Sequence, residues 1–165
     1  MEARNLQELG INLQKIVNRL MANDELIKLL YYTDADPLSE LHPVLTQEQK
    51  KTEIYQELIK IVPKVGTKDN AHSMLAIYIP GASGIASNSE FKQVKINIDV
   101  YTPLTQWIIK DLNLRPFAVM GEIQKSLNGK TINGLGKIKC GDFDLRLITE
   151  DISCYTFKIE ITEYE

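Results

Sequence analysis

The apolar residues of this chain change their spacing once, near residue 73, and no fold with a single period accommodates both halves. Up to that point Leu6, Leu9, Leu13, Ile16 and Leu20 recur three and four positions apart, on one face of a helix. Beyond it Val94, Ile96, Ile98 and Val100 alternate with Lys95, Asn97 and Asp99, the period of a strand with one buried face. The expectation is an α+β fold: N-terminal helices, then a mainly antiparallel sheet (β-hairpin, helices, β-hairpin) packed on helices. A length of 165 residues suits one domain whose core needs no disulfide or metal. Residues 1–65 form its helical part, and 73–165 its sheet-plus-helix core.

Within the first half, Asn5, Glu8, Asn12, Lys15 and Arg19 fall on the wet side of the first helix. Asn23 or Asp24 caps a second helix through about Tyr32, whose dense Leu26, Ile27, Leu29, Leu30 and Tyr31 imply burial on more than one side. Thr33 to Pro37 form a turn. Thr46-Gln47-Glu48-Gln49 has the form of a capping box and opens a helix expected to reach about Ile61, before Pro63.

In the second half Met74 to Ile79 read as a strand. Pro80 to Ser89, small and flexible, read as a long surface loop that could order on a partner. Thr102-Pro103 predicts a short helix through Trp107 and Ile109. A further helix starts near Pro116, with Phe117, Met120, Ile123 and Leu127 as its apolar face and Gly129 at its C-terminal cap. Strands over Lys137–Ile148 and Ile152–Glu163 close the chain. Tyr155, Phe157, Ile159 and Ile161 share a face and should oppose Leu145, Phe143 and Gly141. Of two registers that satisfy this, the one setting Asp142 against Lys158 is preferred over the one setting it against Glu160. It implies a three-residue turn, Thr149-Glu150-Asp151.

A formal net charge of −3 is too small to argue for a general nucleic-acid or membrane partner. No apolar run approaches the ~20 residues that span a bilayer, and nothing near the start reads as a signal region. The expected pairing separates Cys140 and Cys154 by roughly 20 Å, beyond the ~7 Å Cα limit of a disulfide. Two free thiols are expected.

The motifs that would carry chemistry fail on spacing. Gly129-Lys130-Thr131 lacks the earlier P-loop glycine, since position 124 is Gln124, and it follows a helix instead of opening one. Gly134-Leu135-Gly136 would need its third dinucleotide glycine at Lys139. Asp142 and Asp144 project to one face with Arg146 and Lys158, as solvated ion pairs. Asp34 and Asp36 shape a turn. His42 and His72 have no zinc spacing. No catalytic, cofactor-binding or metal residue is expected, nor a cofactor. Lys92, Lys95, Lys110, Arg115, Lys125, Lys130, Lys137 and Lys139 outnumber Asp99, Asp111 and Glu122 over 91–139, without the aromatic interleaving of a nucleic-acid reader.

Residues 73–165 resemble phage tail-terminator and head–tail joining proteins. The likeness lies in a hairpin with a long loop, the phrase Ile96-Asn97-Ile98-Asp99-Val100-Tyr101, a helix, a Gly-containing loop, and a closing hairpin ending Lys158-Ile159-Glu160-Ile161. Leu26 to Tyr32 followed by Asp36-Pro37-Leu38 is similar to phrases of phage virion proteins. The resemblance implies a structural subunit, not an enzyme, that forms a ring with itself, commonly hexameric, capping the tail tube and joining it to the neck. Its partners would be tail-tube and neck or connector proteins, with no membrane, and DNA at most passing through a central channel. It would be found in the host cytoplasm during assembly and then in the virion. Rival readings are a stopper, adaptor or tail-tube relative, a small DNA-associated protein, and an enzyme with a non-local site. Candidate subunit or partner contacts are Gly81, Ser83, Gly84, Ile85 and Asn88 in the long loop, and Asn133, Gly134 and Lys137 before the last hairpin.

Overall fold

The computed structural model describes residues 6–63, 72–85, 88–132 and 136–162. Helix α1 (Leu6–Met21) buries Leu9, Leu13, Ile16, Val17 and Leu20, as its spacing requires. Asn12, expected on the wet side, is buried as well. Helix α2 (Asp24–Tyr31) is capped by Asn23, whose side-chain oxygen accepts from the Leu26 N–H at 3.0 Å. The amide of the same side chain donates to Ser126 Oγ at 2.8 Å, so this cap also ties α2 to a later helix. Leu26, Ile27, Leu29 and Leu30 are wholly buried, which accounts for their density in the sequence.

The capping box at Thr46 forms, with Gln49 N–H donating to Thr46 Oγ1 and Thr46 N–H donating to Gln49 Oε1. Its helix is shorter than expected. A single turn, α3 (Gln47–Gln49), runs into a π-helical turn, Lys50–Ile54, and the chain then reverses at Gln56, which has a left-handed φ of 60°. Ile59 and Lys60 form strand β1, parallel to Leu75 and Ala76. Ile59 has no exposed surface, so its burial against the sheet overrides the helical pattern.

Strands β2 (Met74–Ile85) and β3 (Asn88–Pro103) replace the expected hairpin with a long loop. Residues 81–85, small except for Ile85, continue β2 and pair with β3, so Gly81 lies opposite Lys95 and Ser83 opposite Gln93. Small side chains carry no alternating apolar signal, yet their backbones complete a ladder. A bulge at Ile79-Pro80 shifts the register, at the point where proline has no N–H to give. The short helix expected after Thr102 is also absent. Strand β3 runs through Pro103, paired with Ile152, and only a 3₁₀ turn follows at Leu104–Gln106.

Strands β4 (Ile108–Ile109) and β5 (Asn113–Leu114) make a two-stranded hairpin, and helix α4 (Arg115–Leu127) starts directly from it. Val119, Met120, Ile123 and Leu127 face the core, whereas Phe117 is exposed. Gly129 takes the left-handed conformation, φ 71°, just past the helix end. Strands β6 (Thr131–Ile132), β7 (Gly136–Ile148) and β8 (Ile152–Thr162) complete a six-stranded sheet of order β1-β2-β3-β8-β7-β6. It is antiparallel except at β1. Its apolar face (Val94, Ile96, Ile98 and Val100 on β3, Phe157, Ile159 and Ile161 on β8) shares one core with α1, α2 and α4. The architecture is α+β.

In the closing hairpin Phe143 lies opposite Phe157 and Leu145 opposite Tyr155, as the pattern demands, with Thr149–Asp151 between the strands. Two bulges change its ends. Gly141 and Asp142 together face the single residue Lys158, which shifts Ile159 onto Cys140, and Arg146 is an extra residue with no partner rung. Lys158 accordingly makes its ion pair with Asp144.

Arg115 holds the helical layer together. Its side chain has no exposed surface, and among the described residues it forms no ion pair with a carboxylate. The guanidinium donates to the backbone carbonyls of Gln106 (3.0 Å), Leu29 (2.7 Å), Tyr32 (2.7 Å) and Asp34 (2.5 Å). Leu29 and Tyr32 lie at the C-terminal end of α2, where unpaired carbonyls and the helix dipole both favour a cation. Burial pushes the guanidinium pKa down, and the charge of Asp34 opposes that shift.

Candidate interaction surfaces

Of the residues nominated from sequence, Gly81, Ser83, Gly84, Ile85 and Asn88 come together in the β2–β3 ribbon. Among the described residues the last rung between β3 and β8 is Gln93 with Thr162, so residues 81–83 still lie within the body of the sheet and residues 84–85 and 88–92 continue past it as a short two-stranded arm. Asn133 and Gly134 lie outside the described residues. Lys137 is exposed on β7 opposite Thr131 and lies in one row across the sheet with Thr162, Gln93 and Ser83, so β8 alone stands between its strand and the ribbon.

A second surface was not nominated. Strand β6 covers β7 only at Gly136 and Lys137, and the turn after α4 occupies the edge as far as Cys140, whose N–H donates to Asn128 Oδ1 at 3.0 Å. Among the described residues no strand pairs with the outer edge of β7 beyond that point. Beside this edge Phe117, Phe143, Tyr155 and Trp107 form a chain of ring contacts, with centroids 5.3 Å apart for Phe117–Tyr155 and 5.7 Å for Phe117–Phe143. Phe117 is 37% exposed, and Phe143 and Leu145 are each 49% exposed. Aromatic side chains in this state supply large contact area for little loss of rotamer freedom when a partner covers them. The bulges and the charges of Asp142 and Asp144 limit which strands can pair there.

The opposite face of the sheet carries a polar brace centred on Asp99, expected at the surface but wholly buried. Thr156 Oγ1 donates to Asp99 Oδ1 at 2.7 Å, and Arg146 forms an ion pair with the other carboxylate oxygen. Arg146 also donates to the Tyr78 hydroxyl at 3.0 Å, with its guanidinium 5.9 Å from the centre of that ring. Burial works to lower the Arg146 pKa, but Asp99 and the nearby phenols outweigh it and leave the group above its ordinary value. The brace joins β2, β3, β8 and β7. Asp142 and Asp144 are exposed as expected, whereas Arg146, placed with them on sequence grounds, belongs to this internal network.

Among the described residues the cysteines are covered and the histidines are engaged. Cys140 and Cys154 are free thiols, pushed by burial up to about 11 and about 12 respectively, with the charge of Asp99 adding to the second. Such thiols are protonated near neutral pH and are poor nucleophiles. His42 stacks on Tyr32 (4.0 Å between centroids) and pairs with Asp34 at 2.6 Å, while His72 Nδ1 sits 2.9 Å from the Tyr31 carbonyl. Asp34 also accepts the Asp36 N–H at 2.8 Å, the turn-shaping role expected of it. Among the described residues no group of three or more His, Cys, Asp or Glu could hold a metal ion, and no helix is long and apolar enough to cross a membrane.

The model of the YomW family matches residues 23–161, most of the chain. The chain belongs to the YomW family. The YomW match begins at Asn23, the cap of α2, and ends at Ile161 in β8, so it takes in both surfaces and the Asp99 brace and leaves α1 outside. The family name is that of a phage-derived protein. No curated protein matches the chain.

One of these features had a readable signal. An arginine in the first turn of a helix opposes the helix dipole, so Arg115 before Pro116 marks a residue held by something outside α4. Phe117, Phe143, Leu145 and Tyr155 are large apolar residues whose partners lie in different elements, and only the tertiary arrangement shows that they are left half covered. Asp99 had no signal, because an aspartate in an alternating strand reads as solvated.

Proposed function

We propose that this YomW-family chain is a structural subunit of a phage particle that assembles with itself into a ring, caps a tail tube and joins it to the neck. The observation that carries the reading is the half-exposed aromatic cluster beside the open edge of β7. Burying such a cluster stabilises a subunit contact at ~25 cal/mol per Å² of apolar surface removed from water. The β2–β3 arm supplies a second contact element that reaches past the body of the sheet, and the phage-associated family fits the setting. In this reading the chain performs no chemistry of its own. Its thiols are protonated, its histidines hold the α2 end in place, and Asp99 serves the brace. Tail-tube and neck proteins are the partners, DNA at most passes through the ring, and the subunit moves from host cytoplasm to virion.

The test is light scattering on the purified chain across concentration, with negative-stain imaging, alone and with tail tubes of the same phage. Closed rings that sit on tube ends are expected. Phe143→Ser combined with Phe117→Ser should reduce assembly, since both positions are partly exposed and the core beneath them is retained. A monomer at all concentrations that leaves tube ends bare sinks the proposal.

A further inference from the structure

The bare stretches of the two sheet edges lie at opposite ends of the sheet. Strand β1 covers β2 at Leu75 and Ala76, the level at which β7 carries Leu145 and Asp144. Strand β6 covers β7 at Gly136 and Lys137, and Lys137 is level with Ser83 on β2. Among the described residues no strand pairs with the outer side of β2 over 77–85, or with that of β7 over 141–148. The first stretch contains no charged residue and one proline, Pro80. Exposed edges usually carry charges that discourage pairing, so a long uncharged one is a template for another strand. The second stretch carries Asp142 and Asp144 together with the half-exposed Phe143 and Leu145.

Strand direction decides how these edges can meet. Each neighbour in β2-β3-β8-β7 is antiparallel, so β7 runs opposite to β2. A second copy in the same orientation therefore offers its β2 antiparallel to β7, and the alternation of the sheet continues across the boundary. Bringing the bare stretches together displaces the copies along the strands. The middle of one is Gly81, opposite Lys95, and the middle of the other is Asp144, level with Asp99 on β3. From Lys95 to Asp99 is a step of four residues, ~13 Å at ~3.3 Å each, against ~19 Å for the width of four strands. The resulting tilt of about 35° falls at the lower end of the ~35–45° at which sheets close on themselves. Self-pairing of β7 about a two-fold axis instead brings together the Asp142 and Asp144 carboxylates of both copies, and like charges across a ladder destabilise it.

We propose that the bare edge of β7 in one copy pairs with the bare edge of β2 in the next, so that one staggered antiparallel sheet runs around the ring. The pairing rests on the ring-forming reading above and specifies its interface. The incoming strand covers Phe143 and Leu145, and its uncharged residues give Asp142 and Asp144 no like-charged neighbour. The short strands β1 and β6 act as stops that set the register.

Two single variants of the full chain test it by light scattering across concentration. A Cβ at Gly81 finds open space, and within its own sheet an aspartate there faces Lys95, so Gly81→Asp should keep the thermal stability of wild type. Against Asp142 and Asp144 of the next copy the same carboxylate should weaken association by about tenfold or more. Leu145→Lys, at a half-exposed position, should do the same from the other edge. The two variants mixed should form a 1:1 dimer and nothing larger, through the one intact β7 and the one intact β2. Amide hydrogen exchange over 77–85 and 141–148 should be slower in assembled wild type than in either variant alone. Assembly of both variants like wild type overturns the pairing and leaves the ring reading standing. A monomeric wild type overturns both. Wild type that stops at a dimer points to self-pairing of β7 and overturns the pairing. So does dissociation in only one variant, no dimer on mixing, or unslowed exchange over either stretch.

Discussion

Replacing Arg115 with methionine keeps the aliphatic stem of the side chain and deletes the donors that hold four backbone carbonyls. Two of those bonds, to Gln106 and Leu29, are buried, and orphaning a buried acceptor costs roughly 1–3 kcal/mol each. The bonds to Tyr32 and Asp34 are part-buried, so water can replace part of what is lost. Against this, the variant no longer desolvates a cation, which recovers part of a several-kcal/mol penalty. The balance is a loss of about 3 kcal/mol, a large fraction of the ~5–15 kcal/mol that stabilises an ordinary domain. For a chain of this length that corresponds to a fall in Tm of about 6–12 °C. Urea and thermal unfolding followed by circular dichroism would measure it. Arg115→Lys should fall between the two, because an ammonium is a single point and cannot span the positions reached by a planar fork. A methionine variant within about 1 kcal/mol of wild type would refute the reasoning, since the cost of burying the cation would then cancel the bonds it makes.

Removing either end of the Asp99–Arg146 pair should have unequal effects. Arg146→Met strands a wholly buried carboxylate and is expected to cost about 3–5 kcal/mol, whereas after Asp99→Asn the half-exposed arginine turns to water, and the loss should be smaller. Denaturant midpoints of the two single variants and the double variant would show the asymmetry and a coupling between the sites. Glu122 is buried, which by itself raises its pKa, but its bonds to Lys125 and Asn23 outweigh that and hold it below the usual carboxylate value. A depressed folded pKa gives stability that is present above the unfolded value of ~4.3 and is lost as pH falls through the folded one. Glu122→Gln should therefore flatten the acid limb of the stability–pH curve below about pH 5 and change its shape little above that. With thiols pushed up to about 11 and about 12, Cys140 and Cys154 should react slowly with a disulfide reagent at pH 8 and rapidly in urea. Fast labelling of the native chain would contradict their burial.

The sequence by itself determined the element types wherever one face of an element is buried along its length. The five-leucine-and-isoleucine face of α1, the dense core side of α2 and the Val94–Val100 alternation each repeat a local geometry, and the pairing of Phe143 with Phe157 and Leu145 with Tyr155 followed from matching apolar faces. Only the tertiary structure decided the rest, because those features depend on residues far apart in the chain. Ile59 left its helical pattern to join the sheet, and residues 81–85 became strand through backbone pairing that their mostly small side chains do not advertise. Asp99 became a buried anchor because a bulge delivered Arg146 from two strands away, and Arg115 became a clamp because α2 ends where its guanidinium lies. The aromatic cluster is visible only as exposure, and exposure depends on every neighbour that is or is not there. A periodic pattern reports which side of an element meets the core, while a surface is defined by what the whole fold leaves uncovered.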